Sequence, residues 1–261
     1  MSKADDWQKT LPDDVVVYLT QLVNRLQQHL QPQLVGVYLF GSAAYGDYQP
    51  GVSDLDVQAV VTHPLSIAER QTIAELLFHT ALPCPARQLE FVCYHQRAVN
   101  PANRHSQFEI NLNTRAHRDN HLTFDLTEES SYWFVLDIAI GYELGYRLCG
   151  AELTATFAPI PRIWQLEAIL DSLTWHSRNE GASINSILNA CRGWRYAVTG
   201  NWGSKRTGGL WASEQPEYPA VVVQVLTHQQ GTPSFNQQEV ALFIEMVTET
   251  VHTAVQGEHA P

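Results

Sequence analysis

A chain of 261 residues can form one large domain or two modest ones, each with a real core. Its 44% hydrophobic content is that of a globular protein. The formal net charge of −11, from 16 Lys plus Arg against 27 Asp plus Glu, argues against non-specific nucleic-acid binding, which rests on cations meeting phosphates; it suits a cationic small molecule and equally serves solubility.

Apolar residues recur at helical spacing from Val15 to Leu30, between Pro12 and Pro32, and predict a helix over 13–31. A strand Leu34–Phe40 follows, then Gly41-Ser42 and the turn-rich loop Asp47-Tyr-Gln-Pro-Gly-Val-Ser. A second strand is expected over Asp54–Val61, an amphipathic helix over 66–80 and a strand over Gln88–Tyr94. Residues 95–130 give mixed signals, although Asn111-Leu-Asn113 alternates as a strand does. Residues 131–148 read as an apolar helix. Phe157-Ala-Pro159-Ile-Pro161 disfavours helix and marks a domain boundary. Beyond it helices are predicted over 163–178, 184–199, 207–228 and 235–256. The fold class expected is α/β: a mixed sheet flanked by helices over residues 1–158, then an α-helical bundle over 159–261, with a ligand cleft between them.

The chemistry concentrates between residues 36 and 58. Asp54 and Asp56 stand at i and i+2, and strand side chains alternate, so both carboxylates are expected on one face. Two like charges that close repel unless a cation sits between them. Oxygen ligands of this kind suit Mg²⁺, which completes its shell with water and substrate phosphates. Upstream, Gly41 lets the backbone approach a phosphate, and Ser42 offers an N–H and a hydroxyl. Ser53 reads as a phosphate contact or a turn serine with equal force. Glu90 shares its strand face with Val92 and Tyr94, and a carboxylate on an apolar face needs a partner or a metal.

This pattern resembles the nucleotidyltransferase superfamily: an apolar strand, Gly41-Ser42, an eleven-residue spacer and Asp54-Leu-Asp56. The chain as a whole is similar to aminoglycoside adenylyltransferases of the streptomycin/spectinomycin type. The second stretch carrying that likeness is Asn185-Ser-Ile-Leu-Asn-Ala-Cys-Arg192-Gly-Trp-Arg-Tyr196, followed by Gly200-Asn-Trp202-Gly-Ser204-Lys205. The resemblance implies transfer of AMP from ATP to a hydroxyl of a small cationic acceptor, an aminoglycoside or aminocyclitol, with release of pyrophosphate. It implies two Mg²⁺ held by Asp54 and Asp56 with Glu90 as shared ligand and general base. It also implies Arg192 and Lys205 on the nucleotide phosphates. Trp175 and His176 fall near the family's acceptor pocket, where packing is the competing role. The departure lies in Arg178 and Ala182, where acids would be expected; Glu180 is the acid left in that stretch. The other readings to be kept are transfer to another metabolite or a protein, and a non-catalytic nucleotide-binding regulator or antitoxin-like module.

The remaining features are weaker. Cys84, Cys93, Cys149 and Cys191 form no Cys-x-x-Cys and read as reduced thiols. The start of the chain lacks the apolar core of a signal peptide, and no run is long enough to cross a membrane. A cytoplasmic protein without nucleic-acid or membrane partners is expected. His117 and His121 have helical i, i+4 spacing, with no third ligand evident for zinc.

Overall fold

The structure is a computed structural model and describes residues 7–105, 107–128, 130–216, 220–227 and 235–258. The chain divides into two compact units, Met1–Ile160 and Pro161–Pro261.

In the first unit the elements run α1 (Trp7–Thr10), α2 (Asp13–Leu30), β1 (Leu34–Phe40), α3 (Gly41–Tyr45), β2 (Leu55–Val61), α4 (Ile67–Leu77), β3 (Leu89–His95), α5 (Gln96–Val99), β4 (Phe108–Thr114), β5 (His121–Thr123), α6 (Ser131–Leu144), β6 (Tyr146–Gly150) and α7 (Leu153–Thr156). Six strands form one sheet in the order β5-β4-β3-β2-β1-β6. β2 and β3 run parallel and the other neighbours antiparallel, so the sheet is mixed. The parallel pair requires a crossover, which contains α4. Ser66 caps α4 in a capping box with Glu69, which fixes where that helix starts.

The two sheet faces bury different sets of residues. One presents Val37, Leu39, Leu55, Val57, Ala59, Leu89, Phe91, Ile110 and Leu112 to the core built with α2 and α4. The apolar stripe of α2, from Val15 to Leu30, faces that core, as its 3.6-residue spacing requires. The opposite face carries Tyr38, Phe40, Tyr94 and Phe108, whose rings pack with Phe134 of α6 and with Phe157. Phe40 sinks into α6 where Gly141 has no side chain; a Cβ there, or at Gly145, would collide with the ring. The Tyr38 hydroxyl is shared with Thr156 Oγ1 at 2.6 Å and donates to the Ala151 carbonyl at 3.0 Å.

Two departures from the sequence expectation are local. The helix predicted over 131–148 stops at Leu144, and Tyr146–Gly150 forms the sheet-edge strand β6 against β1. Gly145, extended at φ −69° and ψ 164°, ends the helix, and hydrogen bonding to β1 then overrides the apolar pattern. His117 has φ 58°, in the turn before β5, so it shares no helix with His121.

The second unit is helical among its described residues: α8 (Arg162–Asn179), α9 (Ile184–Thr199), α10 (Lys205–Ser213), α11 (Ala220–Thr227) and α12 (Gln237–Glu258). The helix predicted over 207–228 appears as α10 and α11, with residues 217–219 between them outside the described set. Gly200, at φ 70°, ends α9 in the left-handed conformation. Trp202 then folds back, stacked on Tyr196 at 4.0 Å, and its Nε1 donates to Gln165 Oε1 at 2.7 Å. Gly208 allows α10 to cross α9 closely, because a Cβ there would strike the Arg192 backbone.

Candidate active site

β1 ends at Phe40 and the chain turns at Gly41 into the single turn α3. Gly41 has φ 63°, a conformation that side chains disfavour. Space makes the same demand, since a Cβ at Gly41 would fall on the Asp56 carboxylate. The Gly-Ser turn and Asp56 are thus packed as one piece. The Ser42 carbonyl accepts the N–H groups of Gly46 and Asp47, which closes the turn.

Asp56 lies in β2, and its register partner on β3 is Glu90. Glu90 pairs in turn with Asn113 of β4, and Asp56 with Phe40 of β1. Register partners project from the same face of a sheet. Phe40, Asp56, Glu90 and Asn113 therefore form one transverse row, with the two acids adjacent at its centre. Gln88 Nε2 donates to Glu90 Oε1 at 2.6 Å. The Glu90 carboxyl is pushed up to about 8, first by burial and then by the charges on Asp56 and Asp54.

Asp54 precedes β2 by one residue and is held differently from Asp56. Arg87 grips it with a two-pronged ion pair: Nε donates to Oδ1 at 2.7 Å and Nη2 to Oδ2. The backbone reinforces this, because the Arg87 N–H donates to the Ser53 carbonyl at 3.1 Å and the Leu55 N–H to the Gln88 carbonyl at 3.0 Å. The bonds to Asp54 hold the Arg87 guanidinium above its usual range. Ser53 Oγ accepts the Gln49 N–H at 3.0 Å, the turn role weighed for it above.

Among the described residues no three His, Cys, Asp or Glu side chains stand together as a ready-made metal site. Asp54 is turned to Arg87, and Glu90 to Gln88. The donor chemistry nonetheless fits a hard cation. Its charged ligands are all carboxylates, and the proton affinity of Glu90, raised first by burial and then by the Asp56 and Asp54 charges, marks a cost that a cation would offset.

The second unit holds Arg192 and Lys205 in a polar network of its own. Arg192 Nη2 donates to Asn189 Oδ1 at 3.1 Å, and Asn189 Nδ2 to Ser172 Oγ at 3.0 Å. Lys205 Nζ donates to Asn185 Oδ1. Asn185 Nδ2 reaches both oxygens of Glu180, at 3.0 and 2.9 Å, and Glu180 Oε2 is bonded to His176 Nδ1 at 2.8 Å. Burial lowers the His176 pKa, and the nearby Lys205 and Arg192 charges act in the same direction. His176 is thus a buried partner of Glu180, with Trp175 edge-on to its ring at 5.0 Å.

Of the residues named from sequence, the structure brings Gly41, Asp56 and Glu90 together, with Asp54, Ser42 and Ser53 on the segments that flank them. Arg192 and Lys205 share the neighbourhood of His176 in the second unit. Sequence reasoning missed Arg87, Gln88 and the Asn113 neighbour of Glu90. A cation and an amide at Arg87-Gln88, immediately before the Leu89-Glu90 strand, were the available signal. The Glu180–Asn185–Lys205 chain was also missed, since it arises from helix packing.

Residues 19–111 match the nucleotidyltransferase domain family, and residues 155–256 match the family described as aminoglycoside adenylyltransferase, C-terminal domain. The chain is thus similar to a nucleotidyltransferase domain in its first part and to the aminoglycoside adenylyltransferase C-terminal domain in its second. Gly41, Asp54, Asp56 and Glu90 lie within the first match, and Arg192 and Lys205 within the second. Among curated relatives, an aminoglycoside (3'') (9) adenylyltransferase of Escherichia coli is 28% identical over 94% of this chain and 95% of its own length. The protein of the same name from Klebsiella pneumoniae is also 28% identical, over 94% of each chain. Among solved structures, the crystal structure of spectinomycin adenyltransferase AAD(9) from Enterococcus faecialis with ATP and spectinomycin superposes with a TM-score of 0.66. It is 21% identical and covers 90% of this chain and 99% of its own, which establishes a shared fold.

Proposed function

We propose that this protein transfers AMP from ATP to a hydroxyl of an aminoglycoside or aminocyclitol and releases pyrophosphate. The observation that carries the reading is the Asp56–Glu90 pair beside Gly41, in a chain whose second part matches the aminoglycoside adenylyltransferase C-terminal domain. The relatives' own names and the ATP and spectinomycin bound to AAD(9) point to the same substrates.

Glu90 takes the proton of the acceptor hydroxyl. The hydroxyl oxygen forms its bond to the α-phosphorus in line with the departing group. The bond from that phosphorus to the bridging oxygen breaks, and its electron pair leaves with pyrophosphate. Asp54, Asp56 and Glu90 would hold two Mg²⁺, which supply charge neutralisation at the phosphates when bound. Gly41, Ser42 and Ser53 serve the phosphates from the first unit, and Arg192 and Lys205 from the second. Gln88 orients Glu90 through the bond from its Nε2 to Oε1. Cytoplasmic residence belongs to the same reading: Cys84, Cys93, Cys149 and Cys191 are free thiols, and no described helix is long and apolar enough to cross a membrane.

One observation favours a second acceptor class. Glu180, the acid remaining near Arg178 and Ala182, is engaged with His176 and Asn185. A smaller metabolite or a protein hydroxyl would need no acidic pocket. The test is incubation with ATP and Mg²⁺ against streptomycin, spectinomycin, other aminocyclitols and hydroxyl metabolites, reading pyrophosphate and AMP adducts by mass spectrometry. AMP on a drug hydroxyl supports the first reading and AMP on a metabolite or on protein the second. Tight ATP binding without pyrophosphate from any acceptor would overturn both in favour of a nucleotide-binding regulator.

A further inference from the structure

We infer that Arg87 is a built-in counter-cation that occupies Asp54 until a metal ion displaces it, so that the carboxylate site is assembled on binding. The inference rests on the metal reading given above and extends it to a residue outside that site.

The geometry is specific. Arg87 meets Asp54 with two parallel N–H groups, the planar fork that suits a carboxylate. Both ends are anchored: the backbone bonds from Arg87 to Ser53 and from Leu55 to Gln88 zip the two segments together. The Asp54 side chain is 14% exposed, so its charge is largely withdrawn from water and needs a partner; Arg87, at 52%, has an exit to solvent. Asp56 and Glu90 stay in the sheet row, whereas Asp54 lies outside β2, where it can turn. A guanidinium and a divalent ion cannot both take the two oxygens of Asp54. Metal binding therefore exchanges one cation for another, and the released guanidinium is left beside the phosphates that arrive with the metal. Such an exchange keeps the repelling acids neutralised between turnovers and lowers the affinity for metal without nucleotide.

The experiment titrates the full chain with Mn²⁺ alone, following free Mn²⁺ by electron paramagnetic resonance, in wild type, Arg87→Met, Asp54→Asn and the double variant. Arg87→Met should bind Mn²⁺ about three- to tenfold more tightly, the size of a partly exposed ion pair, and should melt lower than wild type without metal. In the Asp54→Asn background the Arg87→Met gain should vanish, since the effect runs through Asp54. Unchanged or weaker Mn²⁺ binding in Arg87→Met overturns the inference, and so does a gain that persists without Asp54. If Arg87→Met does not fold, Arg87→Lys, which keeps the charge but loses the fork, should still gain about twofold, and no gain is equally fatal. Loss of Mn²⁺ binding by every protein, even with a non-hydrolysable ATP analogue, would bring down the metal reading itself. Equal binding by wild type and Arg87→Met would bring down the exchange alone.

Discussion

Asp56 and Glu90 are register partners across the parallel strands β2 and β3, so the backbone ladder itself fixes one acid beside the other. A ladder hydrogen-bonded along its length does not let a side chain wander by a residue without moving the whole strand. Consequences for catalysis and stability follow from this adjacency.

Asp56→Asn should abolish AMP transfer, by at least about 10³-fold, while the fold survives. It removes a charged ligand and also relieves repulsion with Glu90. Pyrophosphate release alongside circular dichroism checks this, and near-native turnover in a folded variant would refute the metal-ligand role. Asp54→Asn should behave alike in turnover but lose the Arg87 ion pair, so its melting temperature should fall relative to Asp56→Asn.

Glu90→Gln separates proton acceptance from binding. Glutamine is nearly isosteric and still offers a carbonyl oxygen, but it takes no proton at neutral pH. The loss should appear in kcat, about 10² to 10⁴-fold, with ATP affinity retained. A wild-type kcat would move the base to another carboxylate.

The same residue gives the metal-free protein a pH signature. The Glu90 carboxyl titrates at 4.5 in the unfolded reference and at about 8 when folded. Below about 4.5 both states hold the proton and Glu90 costs nothing. Between the two values the unfolded chain has released it while the folded protein keeps it, so stability falls as pH rises; above about 8 the loss is complete. Glu90→Gln should remove this slope. Denaturant unfolding in EDTA should therefore show the variant gaining on wild type between pH 4.5 and 8, and a constant difference across that window would contradict the burial of the charge.

Gly41→Ala should be costly twice over. The left-handed φ of 63° costs roughly 1–2 kcal/mol for a side chain, and the methyl group must displace the Asp56 carboxylate. A lowered melting temperature together with loss of turnover is expected; a stable, active variant would show that the turn can move off Asp56.

Arg192→Ala and Lys205→Ala should each weaken ATP binding about tenfold, read by calorimetry on the whole chain, with kcat less affected at saturating ATP. Glu180→Ala should reproduce part of the Lys205 effect, because it frees Asn185, the acceptor that holds Lys205. Unaltered ATP affinity in all three would remove both cations from the nucleotide.

Much of this was legible in the sequence because it is local. The strands ending at Phe40 and starting near Asp56 are apolar runs bounded by turn residues; Pro12, Pro161 and Ser183 mark where α2, α8 and α9 start, and Gly200 marks where α9 stops. Asp54, Asp56 and Glu90 stood out as acids on strands otherwise destined for a core. What escaped depends on distant partners. β6 reads as helix because Tyr146-Arg-Leu-Cys149 continues an apolar pattern, and pairing with β1 alone makes it a strand. Arg87 follows the proline-rich Pro83-Cys-Pro85 loop and reads as a solvated surface charge until the β2–β3 register sets it against Asp54. The Lys205 chain needs the α9–α10 crossing at Gly208 before its members meet.

Phe40 is both the residue before Gly41 and the register partner of Asp56, and its ring occupies the space left open by Gly141 and Gly145. Those two glycines, a hundred positions downstream, set how deep the ring can sit and hence the level of the turn beside the acids. A screen for inactive variants should then recover substitutions at Gly141, a residue with no side chain to offer the reaction. Such hits would look like fold defects by position and like site defects by assay, and restoring room by shrinking Phe40 should rescue them.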